Sequence, residues 1–319
     1  MKKRIASVIS GVAIAAMLLM SACSPAKPAD DITIRVALLP VLDVLPIVVA
    51  QEEGLFEQHG VKVELISVGS APERDQLISS GQADAMMNEL ISVMLLNQSS
   101  LQVQAVRYAR AATAEQPLFS IMAPADAGIT DAQGLKNVPV GISQATIIEY
   151  LTERLLEQQG LSADEIKTIA VPKIPDRMTL LASGELGAAT LPEPFTTLAK
   201  QQGAVVALDD SIDPELSFSV YSVRKQMIDE HPEAVKAFLA AIEDAVSLIN
   251  ANPQNYASLM VDQKMVPAPI ADTFQVPTYP TKGVPTQAQF DDELAWVKAK
   301  GYLSGDASYS DNVNGSLLP

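Results

Sequence analysis

Few side chains in this sequence have chemistry to offer, and most of them are acidic. Asp43 in "LPVLDVL", Glu89 in "MMNELI" and Glu193 in "LPEPF" each stand between apolar runs. Carboxylates accept hydrogen bonds, so three from separate loops would receive a solute bearing N–H donors or positive charge. They would oppose a bare anion, because repulsion in a desolvated cleft costs several times its value in water. Ser143, Gln144 and Thr146 stand just before a periodic apolar run, where hydroxyls and free backbone N–H groups suit an anion or a polar edge. Plain N-capping explains the same residues equally well. Arg107 and Arg110 are further groups that could pair an anion. No Gly-x-Ser-x-Gly elbow, Gly-rich phosphate loop or His-x-x-x-His metal pair occurs. His59 and His231, the only histidines, fall at a helix end and before Pro232, where they serve as caps or surface residues. No metal site or cofactor is expected, and binding is a better reading than catalysis. Hydrolysis by carboxylates alone is the enzymatic class that such a motif search leaves open.

The elements that must position these groups are announced by a repeat. "PERDQLISSGQ" at 72–82 returns as "PDRMTLLASGE" at 175–185, with Pro72/Pro175, Arg74/Arg177, Leu77/Leu180, Ser80/Ser183 and Gly81/Gly184 in register. Pro in a first turn and Gly after a last turn start and stop a short helix. Each copy follows a β-rich run, "VKVELISV" (61–68) or "IKTIAV" (166–171), and precedes a short apolar one, "ADAMM" (83–87) or "LGAAT" (186–190). Upstream, "ITIRVALL" (32–39) and "VPVGI" (138–142) open the two units, with helices expected over about 46–58 and 145–159. The unit is therefore strand–helix–strand–helix–strand, and strands joined through helices run parallel. Two similar α/β lobes follow. Leu77, Leu180, Gly81 and Gly184 are assigned to structure. Beyond a strand at 217–223 the chain is mainly helical. One helix opens at His231-Pro232, and another at Thr286, where Thr-x-x-Gln reads as a capping box.

The C-terminal third is expected to return and complete the first lobe, giving 32–123 plus 217–319 as lobe 1 and 124–216 as lobe 2. The chain would cross between lobes near 109–124 and 209–218, forming a two-strand hinge. Ligands of open α/β sheets bind beyond the carboxyl ends of the strands. In the first lobe that rule selects Leu39, Asp43 and Val44, then Ser70 and Ala71, then Asn88 and Glu89. In the second it selects Ser143, Gln144 and Thr146, the Lys173-Ile174 loop, and Glu193 with Phe195. Closure on the hinge would bury a small molecule between the two sets.

At 319 residues, 48% apolar and 19% charged, the chain suits two packed units better than one. Lys2, Lys3 and Arg4, an apolar run over 5–20 and the small pair Ser21-Ala22 read as an export signal over 1–22. Its loss removes three basic and no acidic residues, so the formal charge of −16 becomes −19. Such a body repels phosphate backbones, and no nucleic-acid partner is expected. Cys23, the single cysteine, resembles the lipidated residue of a bacterial lipobox, although Met20 stands where Leu is usual. "SPAKPADD" (24–31) then reads as part of a tether spanning 23–31.

With these residues in place, the sequence resembles the solute-binding proteins of ABC importers, in the SsuA/THI5-like branch. "RVALLPVLDVLPIVVAQEEGLFEQHGVKVELISVGS", "RDQLISSGQADAMMNE" and "LPEPF" carry the resemblance, which covers about 32–303. It implies a type II periplasmic-binding-protein fold, a permease with its ATPase as partners, and a lipid-anchored, exported location. It implies a ligand from a group that includes sulfonates, nitrate and thiamine-pyrimidine precursors. In binders of those precursors an acidic residue of the second lobe meets the pyrimidine, and Glu193 is its counterpart here. With the three carboxylates, this favours a nitrogen-rich heterocycle; a sulfonate- or nitrate-type anion is the alternative. The branch also includes a pyrimidine-synthesising enzyme with a cysteine-rich motif, which this chain lacks. A signalling receptor or adhesin on the same fold is not separated from an importer receptor by any residue.

Overall fold

The structure is a computed structural model that describes residues 32–319. The signal expected over 1–22, Cys23 and the tether lie outside the described residues. Alternating strands and helices begin with β1 (Thr33–Leu38), α1 (Leu45–Glu52), β2 (Lys62–Ser67), α2 (Ala71–Ser79), β3 (Ala85–Asn88), α3 (Leu90–Asn97) and β4 (Val103–Ala111). The chain continues through β5 (Phe119–Ala123), β6 (Pro139–Ile142), α4 (Ile147–Gln158), β7 (Lys167–Ala170), α5 (Ile174–Ala182), β8 (Ala188–Pro192), α6 (Phe195–Gln201) and β9 (Val205–Asp209). It ends with β10 (Phe218–Arg224), α7 (Pro232–Ala251), α8 (Gln287–Ala299) and short turns. The single helix expected over 46–58 breaks because Gly54 adopts φ +66°, a left-handed conformation that a residue with a side chain rarely takes. Gly81 and Gly184 likewise end the repeated helices at φ +72° and +74°, as expected for structural glycines.

The two sheets share one plan. The first has the order β2-β1-β3-β10-β4 and the second β7-β6-β8-β5-β9. Their first three strands are parallel, as the helical crossovers require, but β10 and β5 run antiparallel to their neighbours, so both sheets are mixed. Phe119–Ala123, grouped with the first lobe by a boundary at 123, pairs with β8 and β9 in the second sheet. The C-terminal third does return to the first lobe. Val235, Phe238, Leu239, Ile242, Val246 and Ile249 of α7 are all fully buried, each contributing about 1.5–3 kcal/mol. Phe238 stacks on Phe56 at 5.5 Å.

The chain crosses between sheets at 112–118 and 210–217, as coil and short 3₁₀ turns rather than strands. Asp210 ties the crossings together. Its buried carboxylate accepts the N–H groups of Leu118 (3.0 Å) and Phe119 (3.0 Å) from one crossing and the Ser217 hydroxyl from the other. Burial raises its pKa to about 6, against the pull of those hydrogen bonds. A third connection was not foreseen. Helix α8 opens with the expected capping box, Thr286 and Gln289 exchanging hydrogen bonds, yet it packs on α4 of the second lobe as well as on α3. Trp296 Nε1 donates to Glu153 at 2.8 Å, Lys300 Nζ lies 2.6 Å from Glu153, and Arg154 lies 3.0 Å from Asp292.

Candidate functional site

The strand tips of the two sheets line a common cleft with an empty volume of about 1000 Å³, counted out to its mouth. Sheet geometry dictates its walls. After β1 come Leu39, Pro40, Val41 and Asp43; after β2 come Gly69, Ser70 and Ala71; at the end of β3 stand Met87, Asn88 and Glu89. The second lobe answers with Ser143, Thr146, Ile147 and Ile148 after β6, Pro172 and Ile174 after β7, and Pro192 and Phe195 after β8. Phe119 of β5 and Ser219 of β10 complete the lining, which is mainly apolar.

Nine of the twelve positions expected from strand order thus meet in one cleft, and three do not. Val44 is 2% exposed and belongs to the first lobe's core, because the turn at 42–44 rotates it inward while Asp43 faces the cleft. Gln144 is exposed and donates to the Tyr302 hydroxyl at 3.1 Å. Glu193 is held by the helix that follows it, α6, accepting from Thr197 N (3.3 Å) and Oγ1 (2.9 Å). The capping explanation applies to both hydroxyl caps of the cleft. Ser70 accepts from Glu73 N at 3.4 Å, and Thr146 accepts from Ile148 N at 3.2 Å. Asn88 is also spent internally, bonding Ser92 and Ser222.

The acidic groups of the cleft have partners that strand order alone did not reveal. Asp43 accepts the Ser219 hydroxyl, and Arg110 stands 3.9 Å from its other oxygen. Glu89 lies 3.4 Å from Arg74, whose Nε lies 2.8 Å from Asp75 and whose Nη1 donates to Met87 O at 3.1 Å. Burial raises the pKa of Glu89, with Arg74 opposing it. Burial pulls Arg74 down, but the carboxylates of Asp75 and Glu89 outweigh it and hold the guanidinium firmly charged. Burial likewise raises Glu193, with Thr197 opposing.

Arg74 and Arg177 both line the cleft, and both were missed. Their signal was present: they are the matched arginines of the repeated string, each in the first turn of a helix that starts at a strand tip. Among the described residues no cluster of His, Cys, Asp or Glu could hold a metal ion, and no helix is long and apolar enough to cross a membrane.

Two mixed α/β sheets joined by paired crossings over a shared cleft define the periplasmic-binding-protein class of fold. The chain belongs to the NMT1/THI5-like family, whose model matches residues 42–256, more than half of its length. The alkanesulfonate-binding protein SsuA of Xanthomonas axonopodis pv. citri, solved with MOPS bound, superimposes with a TM-score of 0.75 at 15% identity, over 91% of this chain and 99% of that one. A Brucella abortus protein named as a binding protein is 26% identical over 231 residues, 71% of this chain and 70% of its own. An Aspergillus parasiticus protein, named 4-amino-5-hydroxymethyl-2-methylpyrimidine phosphate synthase, is 22% identical over 235 residues, 69% and 67% of the two chains.

Proposed function

We propose that this protein is the solute receptor of an ABC importer: it captures a small molecule between its lobes, closes, and presents the closed form to a permease with its ATPase. The observation that carries the reading is the single cleft built from the strand tips of both sheets, above two crossings short enough to act as a hinge. The names of the SsuA and Brucella relatives support it. A basic, apolar leader ending at Cys23 supports export and a lipid anchor on the outer face of the membrane. Non-catalytic action is part of the proposal. The cleft joins arginines, paired carboxylates and capping hydroxyls to apolar walls, and the cysteine-rich motif expected of the synthase branch is missing from the sequence.

The preference for a nitrogen-rich heterocycle rests on the resemblance to thiamine-precursor binders and on three unpaired carboxylates. Arg110 and Arg74 stand against Asp43 and Glu89, and Glu193 lies outside the lining, so that electrostatic support is gone. Thermal denaturation of the protein with sulfonates, nitrate, aminopyrimidines and carboxylic acids tests the reading, together with small-angle scattering. A ligand at about 100 times its Kd adds roughly 2.7 kcal/mol of stability. A receptor shows such a shift together with a smaller radius of gyration. Turnover of any bound solute would contradict the non-catalytic reading.

A further inference from the structure

Four arginines are buried among the described residues: Arg74, Arg107, Arg110 and Arg177. Three of them have a carboxylate. Arg74 has Asp75 and Glu89, Arg107 has Glu243 at 2.7 Å, and Arg110 has Asp43. Arg177 has none. It is fully buried, its Nη1 donates to Val171 O at 2.8 Å, and its Nε and Nη2 have no partner. The repeat explains the gap. With Pro72 on Pro175 and Arg74 on Arg177, the positions of Asp75 and Glu89 become Met178 and Pro192, so the second lobe keeps the cation and deletes both of its acids. Burial alone lowers the pKa of Arg177, to about 10, with no charged neighbour acting on it. A guanidinium stays protonated at that value, so the charge persists at neutral pH. Water could take up the N–H groups of these two nitrogens, but it cannot supply a countercharge. Arg177 is part of the cleft wall, beside Ile174, Pro172 and Ile148.

We infer that the solute carries an acidic oxyanion group, such as a carboxylate, sulfonate or phosphonate, on a mainly apolar body, and that Arg177 is its countercharge. This rests on the receptor reading above. Nε and Nη2 of a guanidinium form a planar fork that matches two oxygens of such a group. The walls around it offer Phe119, Phe195, Ile147 and Pro192 to the remainder. The ligand would thereby complete in the second lobe the charge balance that Asp75 and Glu89 complete in the first.

The test uses the full chain and matched probes: benzoate, benzenesulfonate and phenylphosphonate against benzamide and benzenesulfonamide, with hexanoate and hexanesulfonate against hexanamide. Thermal shift, calorimetry and scattering are read for each. Acids should raise the melting temperature and compact the molecule, while their neutral counterparts do not; the three acid types show which oxyanion is preferred. Arg177→Met should melt no lower than the parent without ligand, yet lose at least tenfold in acid affinity. Arg177→Lys, which keeps the charge but not the fork, should lose affinity part of the way, and it carries the test if the Met variant fails to fold. Neutral probes that bind and compact the protein as well as acids do, or acid affinity that survives Arg177→Met, would overturn this inference while leaving the receptor reading intact. If no probe of either kind shifts the melt or the scattering, this inference falls, and the receptor reading falls with it only if nitrate and the aminopyrimidines are silent as well.

Discussion

Helices α2 and α5 are copies of one design, and their difference is instructive. Both start at a strand tip with Pro in the first turn, both end on a left-handed Gly, and both bury an arginine against the cleft. In α2 the arginine has Asp75 and Glu89 beside it, so its charge is countered within the first lobe without a guest. In α5 the acids are gone and the arginine is held by one backbone carbonyl. Desolvating a charge is expensive unless it is paired. One lobe has met that cost internally; the other leaves it to be met from the cleft.

The largest expected effect comes from breaking the complete side. Arg74→Met leaves Asp75 and Glu89 without their cation and should destabilise the protein by about 3–5 kcal/mol in urea or guanidinium denaturation. Arg177→Met removes an unpaired charge instead, so its ligand-free stability should be unchanged or higher. Equal losses for the two variants would erase the distinction between the lobes.

The next effect concerns the clasp that joins them. Asp210 has a folded pKa of about 6, above its ordinary value near 3.9. The folded state therefore holds its proton more tightly, and the stabilising contribution is full below about pH 4 and lost as pH rises through about 6. Asp210→Asn cannot titrate. Relative to that variant, the parent should lose about 2–3 kcal/mol between pH 4 and 7, measured as the difference between their denaturation curves. Parallel pH profiles would remove Asp210 as a buried titrating link.

A gentler change sharpens the comparison by supplying the missing acid. Met178→Asp places a carboxylate where Asp75 stands in the first lobe. It should raise ligand-free stability by about 1.5–3 kcal/mol, the range of hydrogen bonds to charged groups, and weaken acid binding. Acid affinity untouched by it would argue that Arg177 does not hold the anion. The smallest effect is expected at Glu193→Gln. Its carboxylate is occupied by Thr197 and lies outside the lining, so Kd should stay within about twofold, or 0.4 kcal/mol. A large loss by calorimetry would return Glu193 to the cleft.

Strand order and the repeat made much of this legible. The two lobes, the return of the C-terminal third and nine cleft positions follow from where Pro, Gly and β-branched runs fall. The rest depends on contacts between residues distant in sequence. Asp43 and Glu89 read as free acids because Arg110 and Arg74 reach them only after folding, through the pairing of β4 with β10 and the packing of α2 against β3. Val44 and Asp43 are neighbours that a single 3₁₀ turn sends opposite ways. The bridging role of α8 could not be read because Trp296 and Lys300 find Glu153 across more than 140 intervening residues. Arg177 was visible in the repeat all along. Its meaning lay in Met178 and Pro192, the two places where the copy departs from Asp75 and Glu89.

The most direct test is a crystal structure of the protein with whichever acid shifts its melt furthest. The account predicts that acid between the lobes, touching strand tips of both sheets, with an oxyanion oxygen within hydrogen-bonding distance of Nε or Nη2 of Arg177. An acid bound outside the cleft, or inside it with its charged group turned away from Arg177 and toward solvent, would contradict the account.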